Sequence, residues 1–227
     1  HNQSRRQRQM CIRDSLESAA TIVDNLVVND NGDSGVHIDD ARYVYLSNVT
    51  SQSNQDAGLE FNRANDIESG SGDVSCLHCT STNDARGVVL IDSVDIYLRN
   101  LQVNDPVTGP AISIDNSGLN VGVQGGLFHL HNVKTSVNTT GPAISATGAE
   151  GVINGLDMYG THSGLTWDAD HNVERQSILS NANLTGSGCL NLTNHDQLSG
   201  ENNIIKLGCT GELYFENVEL NWSTFSD

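Results

Sequence analysis

The sequence predicts an all-β solenoid, on three observations. Two short motifs alternate along most of the chain, with a repeat of about 23 residues. Each has the period-two apolar alternation of a half-buried strand. Glycine and asparagine, 22 and 25 of 227 residues, occupy fixed places in the repeat, while only three prolines occur.

The first motif reads apolar–x–apolar–x–Asn–apolar. Its copies are Thr21-Ile-Val23-Asp-Asn25-Leu26, with one polar lapse, then Val44-Tyr-Leu46-Ser-Asn48-Val49 and Ile96-Tyr-Leu98-Arg-Asn100-Leu101. Phe128-His-Leu130-His-Asn132-Val133 and Leu213-Tyr-Phe215-Glu-Asn217-Val218 follow. Val74-Ser-Cys76-Leu-His78-Cys79 carries His in the Asn place, and Gly151-Val-Ile153-Asn-Gly155-Leu156 carries Gly. From Asn25 to Gly155 these places lie 23, 30, 22, 32 and 23 residues apart.

The second motif, small–apolar–x–apolar–x, falls between them. It begins at Gly35, Gly58, Gly87, Ala111, Ala143, Gly164 and Cys189. Both motifs are rich in Val, Ile, Leu and Thr and are bounded by Gly, Asn, Asp and Ser, as strands are. No apolar spacing of three and four persists long enough for a helix.

The phase slips by one residue at each Asn. Leu46 and Val49 both read as inward, so the chain bends between them, and Asn and Gly most readily take the left-handed conformation such a bend needs. Strand, bend, strand, loop, strand and loop then close one turn. A single turn cannot bury its apolar face, but turns stacked at about 4.8 Å can. Stacking predicts that Asn25, Asn48, Asn100 and Asn132 form an internal amide ladder. After residue 194 the register is open, with Asn203 or Asn217 as the next bend.

Residues 1–15 do not share this pattern. They hold four of the eleven basic residues, and Arg5–Ser15, RRQRQMCIRDS, resembles the in-frame translation of a sequencing-library adapter. Set apart as one sets apart a cloning scar, they leave residues 16–227 with 7 basic and 27 acidic residues, a net charge of −20 against −17 for the whole chain. An adapter joined to coding sequence implies that the native N-terminus is missing. With no capping helix before Asp227, the C-terminus is open to the same reading. So acidic a chain is poorly suited to nucleic acid or to an anionic membrane surface. No stretch approaches the roughly 20 apolar residues of a membrane helix.

The combined pattern resembles the right-handed parallel β-helix repeat proteins of the pectin-lyase-like superfamily, over roughly residues 20–200. The resemblance implies a single-stranded solenoid of about seven coils and one domain over residues 16–227. It places the Gly-led strands in one sheet, and the strands before and after the Asn bend in two others. It also implies a secreted or cell-surface protein whose site lines the outer face of the Gly-led sheet.

On that face the alternation puts His37, Asp39, Glu60, Asn62, Val89, Ile91, Ser113, Asp115, Ser145, Thr147, Thr166 and Asp168. Loops 63–73 and 116–127 account for the two long repeats and would wall the face, with Arg63 and Arg86 at strand edges. The catalytic candidates are His37, Asp39, Glu60, Arg63 and Arg86. Lyase or epimerase chemistry needs a neutralised uronate carboxylate, a base at C5 and an acid for the leaving oxygen. His37, Arg63 and a Ca²⁺ held by Asp39, Asp40 and Glu60 would supply these. Asn62, Asp115 and Asp168 are candidate carbohydrate contacts. Against catalysis, the Asp-Pro-His, Gly-Asp-Asp, Arg-x-Lys and Ser-His-Gly signatures are missing, and Val89 and Ile91 make the middle of the face apolar without an aromatic.

Two functions therefore stand at this level. One is a non-catalytic stalk, adhesive or carbohydrate-contacting surface needing no cofactor. The other is a fragment of a polysaccharide lyase, epimerase or hydrolase acting on acidic glycans such as pectate or alginate. Cys76 and Cys79 fall on inward places equivalent to Leu98 and Leu101. They read as buried free thiols rather than half of a zinc site, which needs a second ligand pair. Cys189 and Cys209 either pair or stay free.

Overall fold

In the computed structural model, the described residues are 10–13, 20–64, 74–115, 127–169, 176–187, 189–200, 205–211 and 213–222. Among them every regular element is a strand, and every strand pairing is parallel.

The strands form three ladders, in which each strand pairs with its equivalent one coil later. The first contains the Gly-led strands Val36–Asp39, Ala57–Asn62, Arg86–Ile91, Ile112–Asp115, Ile144–Thr147 and Leu165–Asp168, then the starts of Leu190–Gly200 and Leu213–Trp222. The second contains Thr21–Asp24, Val44–Ser47, Val74–Leu77, Ile96–Arg99 and the first halves of Phe128–Val137, Gly151–Gly160 and Gln176–Gly186. The third begins at Val27–Asn29, uses the second halves of those three long strands and reaches Ile205–Cys209. Val36, Leu59, Val88, Ile112, Ile144 and Leu165 stack in one inward row, each essentially inaccessible. No coil could bury that row alone; the stack buries it.

Left-handed residues recur at three kinds of corner among the described coils, not one. The corner predicted from Asn has φ of 56° at Asn25, 52° at Asn48, 55° at His78, 53° at Asn100, 52° at Asn132, 79° at Gly155 and 51° at Asn181. A second corner follows the first ladder at Asp40, Arg63, Asp92 and Asn194, and a third follows the third ladder at Asp30, Ser53, Asn83 and Asp105. Asn and Asp tolerate this conformation at low cost, which accounts for much of their abundance.

The three corners correct part of the sequence reading. Leu213–Trp222 belongs to the first ladder: Leu213 pairs with Leu190 and Phe215 with Leu192. The register aligns Asn217 with Asn194, a corner after the first ladder. The pattern apolar–x–apolar–x–Asn thus occurs at two kinds of corner and cannot alone tell them apart. The bend after Gly155 is Asn181; Asn203 lies outside the described residues.

The predicted amide ladder also lies elsewhere. Asn25, Asn48, Asn100 and Asn132 are exposed. Asn132 Nδ2 donates to Asn100 Oδ1 at 3.2 Å, but Asn25 and Asn48 turn instead to Asp24. The internal polar ladder stands just after the third corner, where Asn31, Asn54 and Asp84 are 4%, 3% and 0% exposed. Asn31 donates from backbone and side chain to Asn54 Oδ1, and Asn54 does the same to Asp84 Oδ1. This ladder explains the leading glycine: a Cβ at Gly58 would meet the Ser81 side chain and come within 2.5 Å of Asp84 Oδ2.

Cys76 and Cys79 are not free thiols but a disulfide, and Cys189 and Cys209 form a second one. The bend at His78 turns both neighbouring cysteines inward, so that their Cα atoms are 6.0 Å apart. That lies within bridging range. Met10–Arg13, inside the adapter-like segment, pairs with Val36–Asp39 and sets Met10 and Ile12 beside Val36 and Ile38. An open parallel edge accepts any strand of matching alternation.

Candidate functional site

The outer face of the first ladder carries the ionisable residues singled out from sequence, divided into separate groups. His37 and Glu60 are register partners on adjacent coils, with Nδ1 3.8 Å from Oε2. The buried Ser34 donates its hydroxyl to the same Glu60 oxygen. His37 Nε2 is shielded and has no hydrogen-bond partner.

Two residues further along, at the corner, Asp39 Oδ1 accepts from Asn62 Nδ2 at 3.0 Å and Arg63 Nη2 at 3.3 Å. Arg63 Nη2 also reaches Asp40 Oδ2 at 2.8 Å. Arg86 lies at the opposite end of the ladder, in register with Ala57, and its Nε donates to Asp56 Oδ1 at 2.8 Å. Asn62 lies five residue steps beyond Ala57, about 16 Å of strand. The five catalytic candidates therefore occupy a centre and two opposite corners.

Asp39, Asp40 and Glu60 are not gathered around one point. The two aspartates turn to Arg63, while Glu60 turns to His37 and Ser34. Among the described residues no three His, Cys, Asp or Glu side chains are grouped to hold a metal ion. Asn62, Asp115 and Asp168 fall in one row, each two coils from the next. Asp168 Oδ1 accepts from Thr193 Oγ1 and Asn194 Nδ2, both at 2.8 Å. Val89 points outward by alternation yet is 2% exposed, so it offers no floor to a ligand. The predicted wall loops fall mostly at residues 65–73 and 116–126, outside the described residues.

A second group, on the second ladder, was not singled out from sequence. Tyr97 and His129 face each other across adjacent coils, their rings 4.4 Å apart and within 8° of parallel. His131, two residues along, lies parallel to His129 at 6.3 Å between centroids. The Arg99 guanidinium carbon sits 5.7 Å from the centre of the Tyr97 ring, within cation–π range. Burial, reinforced by the charges of His131 and Arg99, takes the His129 imidazole down to about 4. Burial and then Arg99 lower His131 as well. Both imidazoles are therefore largely neutral at pH 7. Their signal in the sequence was the outward place of Tyr97 and His129 in consecutive copies of one motif.

No family model matches the chain, and no curated protein or solved structure matches it.

Proposed function

We propose that the chain is a segment of a secreted or cell-surface right-handed parallel β-helix, of the pectin-lyase-like kind. In this reading it serves as a non-catalytic stalk or adhesive scaffold that contacts carbohydrate. Parallel crossovers are right-handed in about 98% of cases, which supports the handedness. Disulfides persist in oxidising compartments, so the two bridges support an extracellular location.

The observation that carries the non-catalytic reading is the neutralisation of the first face. Arg63 is spent on Asp39 and Asp40, and Arg86 on Asp56 at the far corner. Neither guanidinium is left to neutralise a uronate beside His37. A polysaccharide lyase, epimerase or hydrolase remains the second reading, favoured by the pairing of His37 with Glu60 and by the shielded, unpartnered Nε2.

Incubation with alginate, pectate and pectin, with and without Ca²⁺, separates the two. The expected outcome is retention on insoluble polysaccharide with no ultraviolet-absorbing unsaturated product and no new reducing ends. Product formation that disappears in His37→Ala would overturn the non-catalytic reading.

A further inference from the structure

We propose that His129 and His131 form a site for one cupric ion on the outer face of the second ladder, each giving one imidazole nitrogen. Both lie on the strand Phe128–Val137, two residues apart. Leu130 between them is buried, so alternation turns both imidazoles outward. Both residues are half-buried, and neither takes a hydrogen bond among the described residues.

The arrangement of the rings selects the ion. Tyr97 stacks on His129 across adjacent coils, whereas His131 is displaced along the strand. Its ring therefore stands beside that of His129, parallel within 6° and with centres 6.3 Å apart. With metal–nitrogen bonds of about 2.0–2.1 Å, two imidazoles facing each other across an ion have centres about 6.4 Å apart, and about 5 Å apart at a tetrahedral angle. The observed spacing fits opposite positions, hence the tetragonal geometry of Cu(II) or Ni(II) rather than tetrahedral zinc. Of these two, Cu(II) binds nitrogen ligands more tightly. The register neighbours of the pair are Tyr97 and Arg99 on one coil and Val152 and Asn154 on the other. They bring no carboxylate, so a hard cation such as Ca²⁺ finds no ligand set there, and water completes the shell of a cupric ion. Arg99 opposes any cation, but its guanidinium carbon is held 5.7 Å from the centre of the Tyr97 ring. A chain of net charge −17 attracts cations overall.

Titration of the full chain with Cu(II), followed by calorimetry and electron paramagnetic resonance, tests the site. His1→Gln is made throughout, because a terminal histidine chelates copper through its own amine. This parent is expected to take one tight equivalent whose resonance shows two imidazole nitrogens. His129→Gln and His131→Gln, each with unchanged circular dichroism, are expected to weaken it at least tenfold. His78→Asn, which alters an exposed histidine and keeps an Asn-type bend, is expected to leave it within twofold. Copper binding that survives either His129→Gln or His131→Gln, or a resonance showing a single nitrogen, would overturn the site. Failure of the parent to retain copper overturns it as well. Zinc held as tightly as copper would overturn the choice of ion.

Discussion

Asn54 donates both its backbone amide, at 2.8 Å, and its side-chain amide, at 2.7 Å, to Oδ1 of Asp84, thirty residues later and fully buried. Ser81 Oγ donates to the other oxygen at 2.7 Å. A buried carboxylate is costly unless its oxygens are satisfied, and here the coil below and its own coil satisfy both.

Removing a partner should therefore cost more here than at the exposed bends. Asn54→Ala is expected to lower unfolding free energy by about 1–3 kcal/mol, because it removes the acceptor of both Asn31 bonds and the side-chain donor to Asp84. Asn100→Ala, on an exposed corner, should cost less, about 1 kcal/mol, chiefly for its left-handed backbone, and Asn100→Gly less still. Urea denaturation of the three variants checks the ranking, and an Asn100→Ala loss equal to that of Asn54→Ala would refute it.

Glycine substitutions should divide in the same way. Gly58→Ala forces a methyl into Ser81 and Asp84 and is expected to cost about 1–3 kcal/mol or more. Gly32→Ala and Gly141→Ala meet nothing within 4 Å and should leave the midpoint nearly unchanged. Thermal melts of the three proteins decide it.

Reduction should loosen the later coils. The Cys189–Cys209 bridge spans 20 residues, and loop closure of that size is worth about 3 kcal/mol. The Cys76–Cys79 bridge spans only three and constrains the unfolded chain less. Intact mass under non-reducing conditions should be lower by four hydrogens than after reduction. The double substitution Cys189→Ser with Cys209→Ser should lower the melting temperature more than Cys76→Ala with Cys79→Ala.

Stability should fall with acidification before ordinary carboxylates titrate. Burial lowers His129, His162 and His195, and lowers His131 in company with Arg99. The unfolded chain, with imidazoles near 6.5, then binds more protons than the fold as pH drops. Stability is full above about 6.5 and declines toward 4, the value reached by His129. Melting temperatures from pH 7.5 to 4 measure the decline. His129→Gln should flatten that slope, and an unchanged slope would count against this assignment.

The alternation of Val44-Tyr-Leu46 and Gly58-Leu-Glu60-Phe61 was enough to establish short strands, inward rows and stacked coils, because period-two burial is written locally. The left-handed place shared by Asn48, His78 and Gly155 was legible for the same reason. Which corner a given Asn turns was not: Asn100 and Asn194 follow identical local patterns, and only pairing between coils assigns them to different ladders. The candidate site was legible only as a row of outward residues. Whether Arg63 meets Asp39 or Arg86 meets Asp56 depends on side chains 24 to 30 residues apart in sequence. The stack of Tyr97 on His129, the polar ladder from Asn31 to Asp84 and the disulfide pairing have the same character. Each is set by which residues of neighbouring coils come to lie about 4.8 Å apart, and that coincidence belongs to the stacked structure alone.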